Sequence, residues 1–115
     1  MVGPANLLLS VALTPKEGTD EDFDKWYREE HLADLSKCPG YVRSRRFKGV
    51  PGVPGAEQAP EYIAFHEFEG EELPMDKLIE TTKTEWSRKH LENVQKNETT
   101  VWKKIFVGGE GNFEL

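Results

Sequence analysis

Three glycines and two prolines crowd into the seven residues Gly49-Val50-Pro51-Gly52-Val53-Pro54-Gly55, and no helix or strand survives that composition. The segment has to be a loop, and a flexible one. Tyr41–Lys48 lies before it and Pro60–Phe68 after it, the latter carrying Tyr62, Ile63, Phe65 and Phe68. Both read as strands, so the chain turns back on itself here as a hairpin with a long tip.

Outward from the hairpin, each half repeats one order. Asn6–Leu13 is short and apolar and stops at Thr14-Pro15, as a mostly buried strand does. Thr19 can then cap a helix whose first turn holds Asp20, Glu21 and Asp22, where negative charge meets the positive end of the helix dipole. Phe23, Trp26, Tyr27, Leu32 and Leu35 recur with helical spacing up to about Lys37, and Pro39-Gly40 ends the run. In the second half, Leu73–Gln95 is helical in character, with Leu78, Ile79, Thr82, Trp86 and His90 on one side. Three threonines between Thr81 and Thr84 weaken it enough to divide it in two. Thr99–Val107 reads as a last strand, and residues 108–115 as a flexible tail.

The order βαββαβ defines a ferredoxin-like α+β domain: a four-stranded antiparallel sheet with both helices on one face. A chain of 115 residues suits one such domain, with its core over about residues 6–107. The strands are apolar on both sides, as at Leu7–Leu9 and at Ile63 and Phe65 against Tyr62 and Phe68. The face without helices therefore needs a cover, and a second copy of the chain in a two-fold homodimer is the expected one.

Charge narrows the partners. A net charge of −6 disfavours nucleic acid and anionic membranes, although Arg43, Arg45, Arg46 and Lys48 form a basic cluster interleaved with Tyr41 and Phe47. The apolar run around Leu7–Leu13 is too short to span a bilayer, and Met1–Asn6 has no Lys or Arg to start a signal peptide. Cys38 has no partner for an internal disulfide, which fits the cytoplasm, and it reads as a buried or loop thiol.

Candidate chemistry centres on the first helix. Phe23, Tyr27, His31 and Leu35 are four apart and form one slanting row, so His31 faces the sheet. Two roles are open for it: a core histidine satisfied by a carbonyl or a tyrosine, or a general acid/base at the mouth of a cavity. His66 alternates onto one face of the third strand with Tyr62, Ala64 and Phe68, and His90 lies one turn beyond Trp86. The three histidines are spaced unlike any compact metal motif, so no metal is expected. Arg43 and Arg45 share a strand face with Tyr41 and Phe47, and either can hold a carboxylate or a developing oxyanion. Arg46 and Lys48 alternate to the other face and are expected to pair with acidic residues. Neither a phosphate-cradling glycine loop nor a Gly-x-Ser-x-Gly elbow is present.

The stretch Phe23-Asp24-Lys25-Trp26-Tyr27-Arg28-Glu29-Glu30-His31, with its histidine five residues after the tryptophan, resembles the first helix of EthD-like proteins of the dimeric α/β-barrel superfamily. Pro39–Phe47 and Pro60–Phe68 resemble the second and third strands of fungal members. The resemblance covers about Asn6–Val107, is specific for fold and is not specific for reaction. It implies two protomers whose sheets form a shared barrel, a pocket between sheet and helices in each, and a functional histidine at His31. Such families include cofactor-independent decarboxylases, cyclases and dehydratases of aromatic polyketide pathways, isomerases, and cofactor-free monooxygenases. Many EthD-like chains carry a basic residue in the first strand; this one reads Leu9-Ser10-Val11-Ala12-Leu13, which leaves Arg43 or Arg45 to supply an anchoring charge.

The expectation is thus a cofactor-independent lyase or cyclase acting on a small aromatic or polyketide-derived molecule. His31, His66 and Tyr62 are the catalytic candidates. Tyr27, Arg43, Arg45, Trp26, Phe68, Trp86 and His90 are the candidates for binding. The alternatives are a non-catalytic dimeric module that binds a small ligand, and a cofactor-free monooxygenase.

Overall fold

In a computed structural model that describes residues 5–105, the four strands are β1 (Leu7–Thr14), β2 (Tyr41–Lys48), β3 (Tyr62–Phe68) and β4 (Lys96–Lys103). They form one antiparallel sheet in the order β2-β3-β1-β4, the ferredoxin-like arrangement that the element order implies. The tail 108–115 lies outside the described residues. Among the described residues, no helix is long and apolar enough to cross a membrane.

Strand alternation divides each strand between two faces. Leu7, Leu9, Val11 and Leu13 of β1 stand beside Phe68, His66, Ala64 and Tyr62 of β3, and this face meets the helices. Its apolar core has two parts: Leu13, Phe23, Trp26, Tyr27 and Ala64 in one, and Leu7, Leu35, Cys38, Phe68 and Leu78 in the other. Leu8, Ile63, Phe65, Phe47 and Trp102 lie on the opposite face, where Phe47 and Trp102 remain more than half exposed.

The first helical stretch is not a uniform α-helix. It runs as α1 (Asp20–Trp26), a π-helical turn (Tyr27–His31) and α2 (Leu32–Ser36), and the Leu32 N–H donates to the Tyr27 carbonyl five residues back. Thr19 stands at the N-cap as expected, but its hydroxyl turns back to the Lys16 carbonyl at 2.6 Å and caps nothing. The second stretch divides where the threonines weaken it, into α3 (Met75–Glu80) and α4 (Glu85–Leu91). The hydroxyls of Thr81 and Thr82 donate to carbonyls three residues back, while Thr84 caps α4 by accepting from the Ser87 N–H at 3.1 Å.

Two expectations need correction. β4 begins at Lys96 and ends at Lys103, where the expectation was a strand over Thr99–Val107, of which 106–107 lie outside the described residues. Its opening Lys96-Asn97-Glu98 is polar because an edge strand meets solvent, and pairing with Thr14, Leu13 and Ala12 makes it strand all the same. In β2, a bulge at Val42 opposes two residues to one, so Tyr41 pairs with Phe68 and Arg43 with Glu67. Tyr41 therefore leaves the face it was expected to share with Arg43, Arg45 and Phe47, and packs on the helix side. Gly40 precedes the bulge with φ of +84°, and a Cβ there would stand 3.0 Å from the Glu69 carbonyl oxygen.

Candidate functional site

Between the helix-facing side of the sheet and the helices lies a cavity of about 210 Å³. Leu9, Val11 and Leu13 floor it, Trp26, Tyr27 and His31 wall it on one side, and Met75, Leu78 and Ile79 on the other. Thr99 and Asn97 of the edge strand contribute polar groups. Among the described residues lining it, none is Asp, Glu, Lys or Arg.

The π-helical turn explains how one helix supplies three of these walls. Residues five apart on a regular α-helix point about 140° away from each other around the axis, so their rings cannot stack. In a turn closed by an i to i−5 bond each turn takes up more residues, and the two positions come much closer around the axis. Trp26 and His31 are five apart, and their rings stack at 4.5 Å with planes inclined by 19°. The Trp26 indole N–H donates to Ser87 Oγ at 3.0 Å and to Glu30 Oε2 at 3.2 Å, which fixes the ring that carries His31.

His66 reaches the same cavity from β3, its ring centroid 6.3 Å from that of His31. Its Nδ1 is 2.7 Å from Ser44 Oγ, and Ser44 Oγ is 2.6 Å from the Tyr41 hydroxyl. Two atoms have no such partner among the described residues: His31 Nδ1 and His66 Nε2, both buried. A buried polar atom without a hydrogen bond costs stability, and at a cavity wall it is a ready contact for a ligand.

Both imidazoles are neutral at neutral pH. Burial, then repulsion from His66 once that ring is itself protonated, then the charge of Arg46, bring His31 down to about 3; burial, then Arg46, brings His66 down to about 4. The Arg46 guanidinium lies 4.0 Å over the Tyr27 ring and is paired with Asp24 at 2.8 Å. Burial raises the Tyr27 hydroxyl well above its ordinary value.

The structure thus brings together His31, His66, Tyr27 and Trp26 from the residues singled out in the sequence. The other six are placed elsewhere. The Tyr62 hydroxyl donates to Asp20 at 2.7 Å, and burial followed by that carboxylate pushes it up to about 12. His90 Nε2 and Trp86 Nε1 sit on Asp22 Oδ2 at 2.7 and 3.0 Å, joined by Lys89. Hydrogen bonds from Trp86, Lys89 and His90 hold that carboxyl at about 2. This cluster ties α4 to α1 and stays outside the cavity. Phe68 belongs to the core around Leu35 and Cys38. Arg43 and Arg45 project from the opposite face of the sheet, at 2.7 and 3.9 Å from Glu67, because His66 and Ser44 occupy the cavity side of their strand pair.

Ser44 was not singled out in the sequence, and Arg46, expected to pair with an acidic residue, does so with Asp24. Alternation already separated Arg46 from Arg43 and Arg45, but it left open which of the two faces meets the helices. No signal in the sequence marks the bulge that brings Tyr41 to Ser44. Among the described residues, no group of three or more His, Cys, Asp or Glu side chains is placed to hold a metal ion.

No family model matches the sequence, and no curated protein matches it. Solved structures do match. A protein of Arabidopsis thaliana superposes with a TM-score of 0.61 at 15% identity, covering 89% of this chain and 98% of its own. SnoaB of Streptomyces nogalater, a cofactor-independent oxygenase, gives 0.60 at 12% identity over 93% and 100%. An EthD-family protein of Bacillus halodurans gives 0.51 at 13% identity over 86% and 99%. The ferredoxin-like fold is shared with these proteins. At such identities the likeness is one of fold. It comes from bacteria and a plant, and lends nothing to the fungal affinity suggested by β2 and β3.

Proposed function

We propose that this chain is a cofactor-independent enzyme, a lyase or cyclase, that moves a proton on a small aromatic or polyketide-derived molecule. One observation carries the reading: an apolar cavity of about 210 Å³ holds two neutral imidazoles, each with one buried nitrogen that no described residue satisfies. An apolar protein cavity of about 150 Å³ takes up benzene, so this one has room for a substituted ring or a small fused pair. His31, stacked on Trp26, accepts and returns the proton, while His66 holds the substrate's oxygen. A histidine held this far below its ordinary range is a weak base. It therefore suits an already activated C–H, such as one beside a carbonyl and an aromatic ring.

The exposed face bearing Phe47, Phe65 and Trp102 is covered by a second copy in this reading, which makes the working unit a homodimer. The shared fold with a cofactor-independent oxygenase supports a second reaction for the same cavity, oxygen insertion without cofactor.

Both reactions are tested with one bicyclic aromatic ketone, β-tetralone, in deuterated water. Proton–deuterium exchange at its activated carbon, catalysed by the wild type and lost in His31→Gln, supports the proposal. Oxygen uptake with the same probe favours the oxygenase. Binding without exchange or oxygen uptake sinks both and leaves a ligand-binding module.

A further inference from the structure

The bulge at Val42 has a chemical consequence. By turning Tyr41 to the helix side it completes a row of three polar groups, Tyr41 hydroxyl, Ser44 Oγ and His66 Nδ1, with separations of 2.6 and 2.7 Å. The Ser44 hydroxyl has one proton, so the row has a direction. A phenol is a better donor than an aliphatic alcohol, and an imidazole nitrogen is a far better acceptor than a phenol oxygen. The polarity with the strongest donor at one end and the strongest acceptor at the other is favoured, and each bond then strengthens the next.

We infer that Tyr41 and Ser44 are positioning residues: Tyr41 donates to Ser44, Ser44 donates to His66 Nδ1, and the His66 proton is thereby held on Nε2, as a donor on a residue of the cavity wall. The inference builds on the proposed function, because it divides the labour of the two histidines. His66 becomes the neutral hydrogen-bond donor to a carbonyl or enolate oxygen, and His31 is left as the base. The Nε2 atom that lacks a partner among the described residues is then an N–H awaiting an acceptor. A bulge beside a ligand cavity that re-aims one side chain is a known use of this irregularity.

Long-range proton–nitrogen NMR on the full chain, with nitrogen-15 in its histidines and no ligand bound, reads the tautomer of His66 directly. The expected pattern has the proton on Nε2 and an Nδ1 resonance shifted by an accepted hydrogen bond. In Ser44→Ala that Nδ1 signal moves towards the position of an unbonded ring nitrogen. Ser44→Thr restores it, and Tyr41→Phe moves it part of the way. A wild-type His66 protonated on Nδ1 overturns the inference, as does an Nδ1 signal unmoved in a folded Ser44→Ala protein. The infrared carbonyl stretch of bound β-tetralone is the second readout. It shifts to lower frequency in the wild type and returns towards its unbound value in His66→Leu. Failure of β-tetralone to exchange removes the proposed enzyme but leaves the tautomer measurement standing, so the two ideas fail separately.

Discussion

Lowering the pH from 7 to 5 is expected to destabilise this protein more than its acidic composition suggests. The cause is the pair of cavity histidines. Unfolded, each titrates at 6.5; folded, His31 is held at about 3 and His66 at about 4. A folded value below the unfolded one means that the unfolded chain binds more protons throughout the interval, so stability falls as pH falls from 6.5 towards 4. Integrated between pH 7 and pH 5 for a site that stays neutral when folded, the linkage amounts to about 2 kcal/mol per histidine and about 4 kcal/mol for the pair. That is a large part of the 5–15 kcal/mol or so that holds an ordinary domain folded. Asp22 and Asp24 do not confuse the reading, since hydrogen bonds from Trp86, Lys89 and His90 to the one and from Arg46 and Arg28 to the other lower them from 3.8, and their loss begins from about pH 4 downward. Urea unfolding at one protein concentration, followed by tryptophan fluorescence, gives the stability at each pH. A double variant, His31→Gln with His66→Gln, cannot take up these protons in either state and should be nearly flat over the same interval. A wild-type stability that is level from pH 7 to pH 5, or a double variant with the wild-type slope, would refute buried, neutral imidazoles.

Three further outcomes follow from the same structure. Replacing Arg46 by Met removes a positive charge that faces both histidines, so NMR titration should show His31 and His66 each rising towards 6.5. Gly40→Ala has to hold a side chain at φ of +84° with its Cβ 3.0 Å from the Glu69 carbonyl oxygen. It should cost on the order of 1–2 kcal/mol in denaturant unfolding, and an unchanged midpoint would mean that this turn is not as described. Phe65→Glu places a charge in the middle of the face proposed to pair with a second copy, so sedimentation velocity should find monomers where the wild type sediments as a dimer.

Much of this was legible in the chain itself. The Gly/Pro run from Gly49 to Gly55 sets β2 and β3 as neighbours, the threonines at Thr81–Thr84 divide the second helical stretch, and the four-residue row through Tyr27 and His31 turns both inward. Each of these is a local matter: backbone propensity and side-chain period act within one segment and need nothing from the rest of the molecule. His66 on the same face as Ala64 and Phe68 belongs with them. What local spacing cannot supply is the choice between equivalent faces. Alternation separates Arg43 and Arg45 from Arg46, but only the packing of α1 and the π-helical turn against the sheet decides which set meets the cavity. Two one-residue irregularities completed the site. The π-helical turn brings Trp26 under His31, and the bulge at Val42 brings Tyr41 to Ser44 and so to His66. Each departs from the regular hydrogen bonding of its own segment, and distant contacts stabilise it: Ser87 on the Trp26 indole, and Phe68 against the Tyr41 ring. The sequence by itself determined the order of the elements and the inward histidines, because those depend on neighbours in the chain. Only the tertiary structure decided which groups the histidines meet, because that energy comes from residues far away in sequence.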